Sequence, residues 1–178
     1  VKTCGYYGIE PMFSLIVPEA YEMAKPYNFK RYKIASRTVV DYPDLVREIV
    51  KEGKETFISL GFWKEEGLPF EPRDNVKYLW CKSIYPCPAW EITDLPKDFT
   101  NSPYAGYSDH TVGIETAVLA IARGAQVIEK HFTDNNNRVG PDHKFSMNPI
   151  TWKKMVLSTR NLEMALGDGR KKIEKNEK

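Results

Sequence analysis

Two kinds of apolar pattern alternate along this chain. Short β-rich runs are followed by longer stretches in which apolar residues recur at helical spacing. The first kind reads as strand and the second as helix. Strands are predicted over residues 11–16, 32–34, 56–59, 76–81, 104–108 and 126–129. A helix is predicted over residues 18–25. A second follows a cap at Asp41, buries Leu45, Val46, Ile49 and Val50, and stops at Gly53. A third spans residues 113–123, with Ile114, Ala117, Val118 and Ile121 inward and Gly124 as its stop. The last has Asn148 as N-cap and Pro149 at its first position, and Gly167 ends it. Trp152, Met155, Val156, Leu162 and Leu166 form its apolar face. Residues 62–76 hold Gly67, Pro69, Pro72 and many charges, so they are expected to be mostly loop. Residues 168–178 are almost wholly polar and read as a solvated linker.

Strands alternating with helices imply a parallel sheet in an α/β fold. About six βα units are counted, and a closed (β/α)₈ barrel needs eight. The length of 178 residues suits one domain, placed at residues 1–167. With 26 basic and 24 acidic residues the net charge is +2, which argues against a nucleic-acid or membrane partner. No apolar run is long enough for a bilayer span, and no leader pattern is visible. Cys4, Cys81 and Cys87 show no paired spacing and read as free thiols of a reducing cytoplasm.

The candidate chemistry gathers at strand ends. Two of the three histidines, His110 and His131, follow apolar runs directly. Residues 127, 129 and 131 share one side of their strand, so Glu129 and His131 point together. Ser108 and His110 share parity in the same way. Two imidazoles plus waters suit Mn²⁺ or another borderline divalent ion. Lys33, Ser36, Ser59, Ser83 and Ser108 lie at or near the ends of different strands. In a barrel such ends meet at one mouth, where an ammonium and several hydroxyls would cradle phosphate and carboxylate.

Several blocks carry a family resemblance. Gly106-Tyr107-Ser108-Asp109-His110-Thr111, Val127-Ile128-Glu129-Lys130-His131-Phe132 and Gly140-Pro141-Asp142-His143 resemble blocks of the sialic acid synthase (N-acetylneuraminate synthase) family. Lys33-Ile34-Ala35-Ser36, Ser59-Leu60-Gly61, Ser83-Ile84-Tyr85-Pro86-Cys87-Pro88 and the stretch from Asn161 to Gly167 are similar to its other blocks, in the same order. The resemblance implies a partial TIM barrel, matching strands three to eight, with the first two units and a small C-terminal domain absent. A chain so shortened is expected to be inactive by itself.

The implied reaction condenses phosphoenolpyruvate with an N-acetylated amino sugar, such as N-acetylmannosamine, to give a nine-carbon 2-keto sugar acid and phosphate. The implied cofactor is Mn²⁺ or Mg²⁺ on His110 and His131, with Glu129 orienting a water. Asp142 would contact the sugar near the metal, and the implied assembly is a homodimer; Tyr85, between Ile84 and Pro86, could hydrogen-bond substrate. Two departures bear on the acceptor: Arg37-Thr38 stand where the family has Gly-Glu, and Leu60 and Phe62 replace Thr and Met. The alternatives are a non-catalytic barrel fragment that binds metal or sugar phosphate, and an unrelated metal-dependent aldolase that uses pyruvate and releases no phosphate.

Overall fold

A computed structural model describes residues 1–71 and 73–167, so the polar stretch 168–178 lies outside the described residues. The strands are β1 (Phe13–Leu15), β2 (Arg31–Ile34), β3 (Glu55–Ser59), β4 (Val76–Cys81), β5 (Tyr104–Asp109) and β6 (Val127–Lys130). The helices are α1 (Lys2–Tyr6), α2 (Pro18–Ala24), α3 (Ser36–Asp41), α4 (Pro43–Lys51), α5 (Glu115–Ala122) and α6 (Pro149–Leu166). The six strands form one sheet in sequence order, and every neighbouring pair is parallel. That order, with the helices on one face, is the half-barrel arrangement of a (β/α)₈ architecture.

Strand parity divides the sheet into two chemistries. Tyr32, Ile34, Ile58 and Tyr78 belong to a core shared with Tyr21, Ala24, Val46, Ile49 and Val50 of α2 and α4. Trp80 and Tyr107 continue it against Leu95, Phe99 and Ala120. The opposite parity carries Lys33, Ser59, Cys81, Ser108 and Glu129. Cys81 pairs with Ser108, and Ser108 with Glu129, so their side chains stand side by side. Gly106 is required where β5 meets β6, because a Cβ there would come within 2.1 Å of the Val127 carbonyl oxygen.

Several elements differ from the sequence pattern. The helix expected after Asp41 forms as α4, but Tyr42 and not Asp41 stands at its N-cap, with Pro43 at its first position; α3, which ends at Asp41, was not expected. α3 itself was hidden by its β-branched residues, yet it forms because Thr38 and Val39 are buried. Thr38 Oγ1 also donates to the Ile16 carbonyl at 2.8 Å. The strands β5 and β6 each run one residue past their expected ends.

In α5 the buried residues are Thr116, Ala117 and Ala120, while Ile114, Val118 and Ile121 are half-buried. Small residues there let the helix approach the sheet closely. β3 and β4 are followed by loops without an α-helix, as expected for residues 62–76. Trp63, Leu68 and Phe70 pack against the first core from the β3 loop, and Leu95 and Phe99 enter the second from the β4 loop. These side chains cover the sheet in place of helices. On α6 the expected apolar face is only partly used. Met155 is buried, while Val156 and Leu166 are 39% and 50% exposed.

Candidate active site

The C-terminal strand ends open into a cavity of about 610 Å³. Lys33, Ser36, Ser59, Tyr85, Ser108, His110, Glu129, His131 and Asp142 all line it. They come from the ends of β2, β3, β5 and β6 and from the segments that follow β2, β4 and β6, so the sheet, not local sequence, assembles the group.

Glu129 is the centre of the polar floor. Its Oε2 accepts from Ser108 Oγ at 2.6 Å and lies 3.4 Å from both Ser59 Oγ and Lys33 Nζ. The three donors therefore converge on one anionic oxygen. Lys33 is 4% exposed, and its ammonium also donates to the Ile34 carbonyl at 2.8 Å. A buried ammonium with a single carboxylate neighbour retains attraction for a second anion.

Ser36 and Ser83 stand apart from that centre. Each places its Oγ 3.9 Å from Cys81 Sγ. Ser36 lines the cavity wall, whereas Ser83 sits over Gly61 and is not among the cavity-lining residues. The difference follows from backbone: Ser36 opens α3, whereas Ser83 lies past the last residue of β4.

The two histidines face each other at a ring-centroid distance of 5.3 Å. His110 Nδ1 lies 2.9 Å from the Lys82 carbonyl oxygen. A carbonyl only accepts, so the proton sits on Nδ1 and Nε2 keeps its lone pair. Burial lowers the His110 pKa and holds the ring neutral, with His131 nearby acting in the same direction. A neutral ring whose other nitrogen is anchored to a carbonyl is the form that ligates metal. Metal–nitrogen bonds of about 2.1 Å put two ligating rings about 4.7–5.4 Å apart by centroid, for angles of about 90–109° at the ion. The observed spacing fits a shared ion. Among the described residues no three His, Cys, Asp or Glu side chains form a ready cluster, so waters or substrate would complete the shell.

Asp142 and Tyr85 flank the pair. Asp142 Oδ2 lies 3.7 Å from His131 Nδ1. The Tyr85 ring is 4.2 Å from His110 and 5.9 Å from His131, and Phe145 packs 5.2 Å from His131. Burial and nearby acidic groups push the Tyr85 phenol up, so it is a hydrogen-bond donor at neutral pH. Tyr85 stands before a cis peptide bond to Pro86.

Sequence reasoning overlooked several members of this region. Cys81 is 9% exposed and borders Ser36, Ser83 and His110. Its place at the last position of β4 was the available signal. Phe145 carries no motif and is found only in three dimensions. Asp109 and Lys130, which also border the cavity, form a buried ion pair at the same strand ends that Thr116 of α5 joins. The two departures at 37 and 62 meet in space: the Arg37 guanidinium lies 5.5 Å from the Phe62 ring centre and also bonds Asp41 at 2.9 Å. Neither Arg37 nor Phe62 lines the cavity, and Thr38 is spent on the Ile16 carbonyl.

The model of the NeuB family matches residues 1–171. The chain belongs to this family. It is 34% identical to the N,N'-diacetyllegionaminic acid synthase of Campylobacter jejuni, covering 99% of this chain and 55% of that protein. It is 31% identical to the human N-acetylneuraminate-9-phosphate synthase, covering 86% of this chain and 45% of that protein. Among solved structures it superposes on the N-acetylneuraminic acid synthetase of Leptospira borgpetersenii with a TM-score of 0.73 at 25% identity, over 89% of this chain and 59% of that one. The chain thus spans about half the length of the curated relatives it matches. Those relatives are synthases of different products, N,N'-diacetyllegionaminic acid and N-acetylneuraminate 9-phosphate, so family membership alone does not fix a substrate.

Proposed function

We propose that this NeuB chain is the phosphoenolpyruvate- and metal-binding part of a sialic-acid-type synthase. The proposed reaction joins C3 of phosphoenolpyruvate to the aldehyde carbon of an N-acetylated amino sugar. The aldehyde oxygen takes a proton and becomes a hydroxyl. Water adds at C2, the bond between C2 and the phosphate oxygen breaks, and phosphate leaves with the 2-keto acid.

One observation carries this reading: Lys33, Ser59 and Ser108 converge on a carboxylate oxygen beside two facing imidazoles in one cavity. Donors that hold the Glu129 oxygen now have the chemistry to hold a substrate carboxylate or phosphate. Ser36 extends the donor set along the wall, and Ser83 supports it through Cys81. His110 and His131 would hold Mn²⁺ or Mg²⁺. When bound, that ion supplies a Lewis acid for the sugar aldehyde. In this reading Glu129 would accept a proton from an incoming water, and Asp142 and Tyr85 would orient sugar hydroxyls.

The test incubates the chain with MnCl₂, N-acetylmannosamine and either phosphoenolpyruvate or pyruvate, with calorimetry of each component alone. Phosphoenolpyruvate should bind, and any turnover should yield equal amounts of phosphate and 2-keto acid. Absence of binding by both phosphoenolpyruvate and Mn²⁺ overturns the reading. Turnover of pyruvate without phosphate release would point to an aldolase instead.

A further inference from the structure

The structure assigns Asp109 and Lys130 as positioning residues that aim His110 at His131. Asp109 is the last residue of β5 and Lys130 the last of β6, and they are register partners. The histidines are the next residue on each strand, beyond the last paired position. The β5–β6 ladder does not reach them, and the carbonyl of each accepts a single backbone bond, His110 from the Cys87 N–H at 3.0 Å and His131 from the Met147 N–H at 2.9 Å.

A charged clamp on the opposite parity of the two strands adds to this hold and ties His110 to the strand of His131. Lys130 Nζ lies 2.8 Å from Asp109 Oδ2, with side chains 2% and 0% exposed. The same ammonium donates to the Thr111 carbonyl at 2.9 Å. Asp109 Oδ1 accepts from the Thr111 backbone N–H at 2.8 Å. Residues on both sides of His110 are thus held by one ion pair that originates on the strand of His131. Thr116 Oγ1 of α5 donates to Asp109 Oδ2 at 2.8 Å, which ties the clamp to the helix layer. With residues 109 and 111 fixed, the backbone of His110 has little freedom, and its Nδ1–H stays on the Lys82 carbonyl.

Stability alone does not explain this pair. A buried ion pair gains little over apolar residues of the same volume, because both charges must be dried. Its better-attested use is to specify one geometry. An apolar pair would pack as well but would not grip the Thr111 N–H and carbonyl in opposite directions.

This inference rests on the reading of the two histidines as metal ligands, and its test separates the two. The double variant Asp109→Leu/Lys130→Met removes both charges without leaving one unpaired. It should melt within a few degrees of the parent, yet bind Mn²⁺ at least tenfold more weakly by electron paramagnetic resonance. In long-range ¹H–¹⁵N spectra of the metal-free protein, the His110 Nδ1–H tautomer should be single in the parent and mixed in the variant. A folded double variant with parent-like Mn²⁺ affinity and one His110 tautomer overturns the assignment. If the parent binds no Mn²⁺ but the tautomer still changes, positioning stands and the metal reading falls. Should the double variant not fold, Asp109→Glu keeps the charge and shifts it by one methylene. The same two readouts then decide, and no change in either overturns the assignment.

Discussion

Replacing Lys33 by Met separates the ammonium from its stem. The Lys33 side chain is 6% exposed and its Nζ lies 3.4 Å from Glu129 Oε2, on a side chain 35% exposed. At that distance and an effective dielectric of about 20, the bare attraction is about 5 kcal/mol. Water reaches Glu129 and screens much of it, and drying the ammonium offsets most of the rest. Met fills the same space without a charge to satisfy. The lost bond to the Ile34 carbonyl costs about 1 kcal/mol. Folding stability should therefore change little in Lys33→Met. Ligand binding should not be so tolerant. Loss of one charged hydrogen bond to a bound anion costs about 1.5–3 kcal/mol. That is a rise in the phosphoenolpyruvate Kd of about 10- to 150-fold. The assay is calorimetric titration of phosphoenolpyruvate into parent and variant, with a thermal melt of each. A variant with the parent's Tm and the parent's Kd would refute the cradle.

Other sites give independent tests. Glu52 is partly buried, which by itself would raise its pKa, but hydrogen bonds from Tyr21 and Lys54 outweigh burial and lower it. A carboxyl depressed on folding contributes stability above its unfolded value of about 4.3 and loses it as pH falls through the folded value. The Tm of Glu52→Gln should thus fall less steeply than the parent's below about pH 4.3, and parallel curves would contradict the cluster. Burial pushes the Cys81 and Cys87 thiols up, and they are 9% and 1% exposed, whereas Cys4 is partly exposed. Iodoacetamide at pH 8 should label Cys4 first, as mass spectrometry of peptides will show, and rapid native labelling of Cys81 would be the contrary result. The Asn148 side chain accepts from the Ile150 and Thr151 N–H groups, so Asn148→Ala should cost about 0.5–2 kcal/mol in urea unfolding. A loss below that range would mean that α6 is held by packing and not by its cap.

Much of this protein was legible in its order of residues. Apolar period and turn residues placed all six strands, because β-rich runs bounded by polar or turn-forming residues leave few other readings. Parity along residues 127–131 and 108–110 put Glu129, His131, Ser108 and His110 on one face, since strand geometry fixes alternation. Asn148-Pro149 announced α6 because a cap is a local device. Three-dimensional packing decided the rest. α3 forms despite Thr38-Val39-Val40 because burial outweighs a weak intrinsic preference. Only the closed register of β4, β5 and β6 shows that Ser83 turns to Cys81 while Ser108 reaches Glu129. The partner of Asp109 lies 21 positions away at Lys130, and no spacing rule links them. Local sequence sets what each segment prefers; which strand ends meet, and hence which side chains share a cavity, is set by long-range pairing that only the folded sheet supplies.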